Sequence, residues 1–188
     1  MELKKPETFK DLLNLQRILD ENTGKTRQNG FIPRERNKMD IILSLDDEFQ
    51  EWLKELPSEL NFKTWKEKKY SKDKELEELT DILFFILQLA NNREYLKESF
   101  LKSFYNWEKY PEIDKTDYIE IENRDNFTKN LKFDLYVDQY RKDLFEDYVV
   151  LCIWRKFSKE DILNKYWEKW QKNMKRVAED WTLQEVSK

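Results

Sequence analysis

The chain has 188 residues and a formal net charge of −4, with 39% charged residues, 15% aromatic residues and no histidine. This length suffices for one domain with a substantial core, and so many aromatic residues are incompatible with a disordered chain. The lack of histidine excludes histidine-based catalytic triads and histidine-ligated zinc sites. The only glycines, Gly24 and Gly30, are too few for a phosphate-binding Walker loop or a dinucleotide fingerprint.

The same composition limits partners and location. An acidic chain has no global basic field to attract a nucleic-acid polymer. The single cysteine, Cys152, cannot form an internal disulfide, which fits a reducing compartment. The longest apolar run, residues 82–87, is too short to span a bilayer, and the amino terminus lacks a signal-peptide core. We therefore expect a cytoplasmic protein that does not enter a membrane.

Sparse glycine and proline, together with abundant lysine, glutamate and leucine, predict an all-α fold. Apolar residues at helical spacing predict a first helix over residues 8–21, with Thr8 as its N-cap. Residues 22–33 contain both glycines and a proline, which is typical of a loop. We expect a second helix over about residues 34–56 and a third from residue 72 or 73 to about residue 91.

The second half of the chain is less regular. A helix is expected over residues 95–107, and residues 108–125 are predicted to form a long loop, although the alternation at 118–122 also fits a short strand. Residues 127–157 predict one or two helices. Ser158 and Asp161 then resemble a capping box at the start of a final helix that runs to about Trp181. We find no domain boundary and expect one domain over residues 1–188.

Two acidic motifs place carboxylates three residues apart, Glu48 with Glu51 and Glu78 with Asp81. On a helix this spacing puts both members of a pair on one face. Each pair borders an apolar stripe, whereas solvated carboxylates usually lie opposite one. Four carboxylates converging at the edge of a core would repel one another unless divalent cations neutralise them. On spacing alone, a solvated helix face remains the commoner explanation, because the chain has 39 acidic residues.

Several short motifs follow one another along the chain. In order, they are residues 15–20 (LQRILD), Glu48-x-x-Glu51-Trp52, residues 62–66 (FKTWK), Glu78-x-x-Asp81 and Tyr166-x-x-Lys169-x-x-x-Asn173-x-x-Arg176. This series resembles the all-α dimeric dUTPases, especially the shorter phage and Gram-positive bacterial members, which are related to the MazG-like nucleotide pyrophosphohydrolases. The resemblance covers about residues 9–92 and 157–181. It is weak over residues 93–156, where the family varies.

The resemblance implies a helical bundle of the all-α NTP pyrophosphohydrolase type, a homodimer, and hydrolysis of dUTP, and also of dUDP, to dUMP. It places the family's Mg²⁺ ligands, with Mn²⁺ as an alternative ion, on Glu48, Glu51, Glu78 and Asp81. Of these carboxylates, Glu48 or Glu51 is the expected general base, because one that is not fully occupied by metal can take a proton from water. Two alternative functions stay open. One is a related pyrophosphohydrolase with another base specificity, and the other is a helical regulatory or interaction protein.

The resemblance also assigns substrate contacts. Uracil is expected at Gln16 and Trp65, and the phosphates are expected at Lys169, Asn173 and Arg176. The last three residues fall at i, i+4 and i+7, so one helical face carries them all. A charged outer face would explain these three without the family, and an ordinary polar position would explain Gln16 equally well. Core packing is the alternative for Trp65.

Overall fold

The computed structural model describes residues 4–25, 34–110 and 117–179, with side chains from residue 122 onward in the last range. These residues form seven α-helices and two short 3₁₀ helices, and none of them lies in a strand. The α-helices are α1 (Phe9–Thr23), α2 (Lys38–Glu55), α3 (Lys72–Asn91), α4 (Glu94–Tyr105), α5 (Asp117–Tyr136), α6 (Leu144–Trp154) and α7 (Lys159–Ala178). The predicted all-α fold is confirmed. No helix within the described ranges is both long and apolar enough to cross a membrane.

Capping boxes mark the starts of α1, α2 and α7. Thr8 Oγ1 accepts a hydrogen bond from the Asp11 amide, and Asp11 Oδ2 accepts one from the Thr8 amide, so the predicted N-cap of α1 is a full capping box. Ser158 and Asp161 form the same box at α7, as predicted. Asn37 caps α2 in this way, so α2 starts at Lys38, four residues after the expected start. Trp181, the predicted end of the last helix, and residues 26–33 lie outside the described residues.

The central element of the bundle is α3. It contacts α1, α2, α4, α6 and α7, and its carboxyl-terminal half is apolar on almost every side. Its buried apolar side chains are Leu79, Ile82, Leu83, Phe84, Ile86, Leu87, Leu89 and Ala90. Because Glu78 and Asp81 lie where this buried stretch begins, they are held at the edge of the core and not on an outer surface.

The middle of the chain differs from the expectation. The predicted loop over residues 108–125 and the alternative strand at residues 118–122 are wrong where the structure describes them, because α5 covers residues 117–136. The five-residue alternation was too short to separate a strand from part of a helix, and no glycine or proline lies within residues 117–136. Residues 127–157 contain the end of α5 and all of α6, separated by residues 137–143 with a 3₁₀ helix at Arg141–Asp143.

A fully buried carboxylate fixes α2 and α6 against the start of α3. Glu75 accepts hydrogen bonds from Arg155 Nε at 2.6 Å, from the Tyr70 hydroxyl at 2.7 Å and from Trp52 Nε1 at 3.3 Å. The buried Glu75 carboxylate is tolerated because Arg155 pairs with its charge and its oxygens are hydrogen-bonded. The contact between Trp52, near the end of α2, and Glu75, near the start of α3, sets the antiparallel register of these helices.

Candidate metal and nucleotide site

The register of α2 and α3 brings three of the four predicted ligands together. Glu48 of α2 and Glu78 and Asp81 of α3 each offer a carboxylate oxygen within 4.8 Å of the others. Glu78 and Asp81 are one turn apart on α3, and Glu48 reaches them from α2. All three side chains are half-buried. We call these residues the acidic cluster.

The electrostatics of the acidic cluster are unfavourable without a cation. Burial, followed by repulsion from Asp81 and Glu78, raises the pKa of Glu48 to about 7. Burial and the Asp81 charge likewise raise the pKa of Glu78 to about 7. Burial raises the pKa of Asp81 above its ordinary value, although the neighbouring Lys169 opposes this shift. The three groups therefore resist being ionised together at neutral pH, and a divalent cation among them would remove that resistance.

Glu51, the fourth predicted ligand, lies outside the acidic cluster. Its carboxylate forms an ion pair with Lys54 of the same helix. Glu51 is still near enough for its charge to raise the pKa of Glu78. An ion pair between two partly exposed side chains of one helix contributes little to stability, so it is no obstacle to a different position of Glu51. Its role as a metal ligand remains a prediction.

The predicted phosphate-binding face of α7 lies against the acidic cluster. Lys169 Nζ forms an ion pair with Asp81 and donates a hydrogen bond to the Glu77 carbonyl oxygen at 3.1 Å. Arg176, two turns further along α7, is close enough for its positive charge to lower the pKa of Asp81. Asn173 lies between them and is half-buried. The structure thus brings two positive groups of α7 to the edge of the acidic cluster, and phosphate binding by this face stays a prediction.

Gln16 belongs to a buried polar network that joins α1, α3 and α7. Its Oε1 accepts from the Tyr166 hydroxyl at 3.2 Å, and its Nε2 donates to Asp20 Oδ1 at 2.7 Å. Gln88 Nε2 donates to the same oxygen at 2.9 Å. Burial raises the pKa of Asp20 to about 6. These partners fix the orientation of the Gln16 amide, which keeps one N–H and one oxygen lone pair for another ligand.

Trp65 is the second residue that was predicted to contact uracil. It is in the connection between α2 and α3 and is 79% exposed, so core packing, the alternative explanation, does not apply. The exposed indole ring of Trp65 is available to stack on a planar base. The structure does not bring Trp65 to Gln16 or to the acidic cluster, and its contact with uracil stays a prediction.

Comparison with known proteins decides the family. A family model described as dUTPase matches residues 8–181. The chain belongs to this all-α dUTPase family. The match runs from α1 to the end of α7 and includes residues 93–156, where the motifs gave little resemblance. The proteins of this family are hydrolases that act on a nucleotide. No curated protein matches the chain.

Sequence reasoning missed several side chains that shape this dUTPase-family site. Tyr166 orients Gln16 directly and Gln88 orients its partner Asp20, both from positions far away in sequence, and no local pattern connects them. Glu75 did carry a signal, since Glu75-x-x-Glu78 repeats the spacing of the acidic motifs. Spacing alone could not separate Glu75 from a metal ligand, because only the three donors to its buried carboxylate show that it is structural.

Proposed function

We propose that the protein hydrolyses dUTP, and also dUDP, to dUMP with divalent cations, chiefly Mg²⁺, held at the acidic cluster and Glu51. The observation that carries this proposal is the convergence of three carboxylates from two helices within 4.8 Å, in a chain of the dUTPase family. Carboxylate oxygens are the hard ligands that Mg²⁺ and Mn²⁺ prefer. The raised pKa values of Glu48 and Glu78 add the expected electrostatic signature of a functional site.

The bound ions would neutralise phosphate charge and lower the pKa of a coordinated water. The chain's own residues do the rest. Lys169 forms an ion pair with Asp81. When a cation occupies the cluster, a phosphate oxygen can replace Asp81 as the partner of Lys169. Arg176 offers a guanidinium for a second phosphate oxygen, and Asn173 offers an amide between them.

A carboxylate must also accept a proton from the attacking water. Glu48 lies within the acidic cluster, so its carboxylate is within reach of a water that a cation held there would activate. Glu51 lies one turn along α2 and outside the cluster, so it is the carboxylate least committed to holding a cation. Either residue can therefore serve as the base, and substitution of each in turn distinguishes them.

The base of the nucleotide would be recognised by Gln16. Its remaining N–H and lone pair can pair with a carbonyl and the N3–H of uracil, and the Asp20 and Tyr166 contacts hold the amide in one orientation. Trp65 would cover the exposed side of the base. We further propose a cytoplasmic homodimer of single-domain subunits.

The deciding experiment identifies reaction products by chromatography after incubation with Mg²⁺ and each of dUTP, dTTP, dCTP, UTP and dATP. We expect conversion of dUTP to dUMP and diphosphate, little turnover of the other nucleotides, and no reaction with EDTA. Faster turnover of a different nucleotide would reassign the specificity to a related pyrophosphohydrolase. No turnover of any nucleotide would refute the proposed activity.

A further inference from the structure

A polar pocket lies where α2 begins and α3 ends, at the other end of this helix pair from the contact between Trp52 and Glu75. It has a volume of about 240 Å³ and lies between the start of α2, the end of α3, the start of α4 and the 3₁₀ helix at Arg141–Asp143. Four of its lining side chains are cations, Arg36, Lys38, Arg93 and Arg141. We call it the basic pocket.

The basic pocket is separate from the acidic cluster. Ile41, which lines the pocket, is seven residues from Glu48 on α2, or about 10 Å along the helix axis. Leu89, on the α3 side of the pocket, is eight residues from Asp81, or about 12 Å. A phosphate group bound at the acidic cluster therefore does not fill the basic pocket.

Positive charge in the basic pocket exceeds the negative charge that faces it. Among the described residues, Asp138 alone forms an ion pair with any of the four cations, contacting both Lys38 and Arg141. The Asp138 side chain is 71% exposed, so solvent screens much of its charge. Arg36 also experiences the charges of Asp20 and Asp40. Those two carboxylates are already engaged, Asp20 by two glutamines and Asp40 by Arg34.

The cations also repel one another. Burial, followed by the charges of Arg141 and Arg93, lowers the pKa of Lys38. Burial and the charge of Arg93 lower the pKa of Arg141. Several cations in mutual repulsion around a cavity are stabilised by an anion that enters it, just as the acidic cluster is stabilised by a cation.

The positions of the cations suit an oxyanion. Arg141 is almost fully buried and rigid, because its Nε and Nη2 donate to the Leu135 carbonyl oxygen at 3.0 and 2.7 Å. Arg36 and Arg93 are exposed and can bring planar guanidinium groups to an anion from two sides. Arg93 is also the N-cap residue of α4 and forms no side-chain cap, so the positive end of that helix adds to the field.

We propose that the basic pocket binds a multiply charged oxyanion of the phosphate class. Four cations against one screened carboxylate leave an excess of about three positive charges, which a phosphate dianion offsets more fully than a monocarboxylate does. The anion can be inorganic phosphate, diphosphate or the phosphate group of a nucleotide. This inference does not depend on the proposed hydrolase activity, because it uses none of the residues of the acidic cluster.

Isothermal titration calorimetry tests the proposal on the full chain in EDTA at constant ionic strength, with inorganic phosphate as the titrant. We expect saturable binding that Arg93→Gln weakens by about tenfold, the effect of losing one charged hydrogen-bond partner. Arg93 is exposed, so this change leaves the core intact, and Lys38→Gln gives a second measurement. Lys102→Gln is the matched control, because Lys102 is exposed on the same helix and does not line the pocket.

Phosphate should bind Glu48→Gln/Glu78→Gln as it binds the wild type, which separates the basic pocket from the acidic cluster. Titrations with diphosphate and dUMP then identify the source of the anion, since a ligand of this pocket competes with phosphate. Three results would overturn the proposal. They are no saturable phosphate binding, equal affinity for acetate, and equal weakening by Arg93→Gln and Lys102→Gln.

Discussion

The acidic cluster predicts how the stability of the metal-free protein depends on pH. Glu48 and Glu78 ordinarily titrate at 4.5, and in the fold their pKa values are raised to about 7. A raised pKa means that the fold favours the protonated form. The contribution to stability is therefore fully present below about pH 4.5 and is lost as the pH rises through 7. Replacing both residues by glutamine removes this loss while keeping the side-chain size.

The magnitude follows from the pKa values. A change from 4.5 to about 7 corresponds to about 3 kcal/mol for each carboxyl group at 1.36 kcal/mol per pKa unit. Both side chains keep contact with solvent, and screening reduces this to on the order of 1 kcal/mol each. In a chain of this length, 1 kcal/mol moves the Tm by about 2–4 °C. Above pH 8, the double variant Glu48→Gln/Glu78→Gln should gain about 4–8 °C over the wild type relative to the difference at pH 5.

Thermal melts by circular dichroism in EDTA, at constant ionic strength, measure this difference. The wild-type curve alone is not sufficient, because burial and the neighbouring Asp134 also raise the pKa of Asp147 to about 7. That contribution is common to both proteins and cancels in their difference. Glu59→Gln/Glu98→Gln is the control, since it removes two exposed carboxylates away from the cluster. A variant advantage that does not grow with pH, or that the control reproduces, would refute the electrostatic reasoning.

Mg²⁺ should restore the stability that the metal-free wild type loses as the pH rises. A ligand that binds only the folded state stabilises it by about 2.7 kcal/mol at a hundredfold excess over its Kd. At the same scale this raises the wild-type Tm by about 5–10 °C. The double variant should respond much less, because it lacks two of the three clustered carboxylates. An equal response in both proteins would show that the cation binds elsewhere.

Three further outcomes are expected. Glu48→Gln should lower dUTP turnover with Mg²⁺ by at least about a hundredfold, measured by product chromatography. Its Tm in Mg²⁺-free buffer near pH 5 should equal that of the wild type, which shows that the fold is intact. Gln16→Ala should cost on the order of 1–3 kcal/mol in kcat/KM for dUTP and less for poor substrates, and an equal loss for every nucleotide would make Gln16 purely structural. Glu75→Gln should destabilise the fold by about 3–5 kcal/mol, seen in urea melts, because it breaks the buried ion pair between Glu75 and Arg155, whereas an exposed Glu59→Gln should have almost no effect.

The sequence predicted the helices whose ends carry local signals. The start of α1 at Thr8 and of α7 at Ser158 could be read from the chain because a capping box lies within four consecutive residues. The start of α5 could not be read in this way. Its first residues alternate like a strand, and its placement depends on packing against α6, which is distant in sequence from those residues.

The same distinction holds within the candidate site. The spacing of Glu78 and Asp81 is local, so their shared face was predictable, and so was the one-turn relation of Gln16 to Asp20. The convergence of Glu48 with them depends on the register between two helices, for which the family order was the only guide. The ion pair of Glu51 with Lys54 is a choice between side-chain conformations, and no spacing rule predicts it.

The three acidic residues on one face of α3 show how a carboxylate satisfied by the protein differs from carboxylates that could hold a cation. Glu75, Glu78 and Asp81 repeat at a spacing of three residues, and burial opposes ionisation at the last two. The deeper Glu75 receives donors from Arg155, Tyr70 and Trp52, so its charge and lone pairs are satisfied by the protein. Glu78 and Asp81 face Glu48 instead, and within the described residues Lys169 forms an ion pair with Asp81. Fixed donors make the first group part of the fold, and the excess of negative charge at the other two makes them suitable for a cation that arrives from solution.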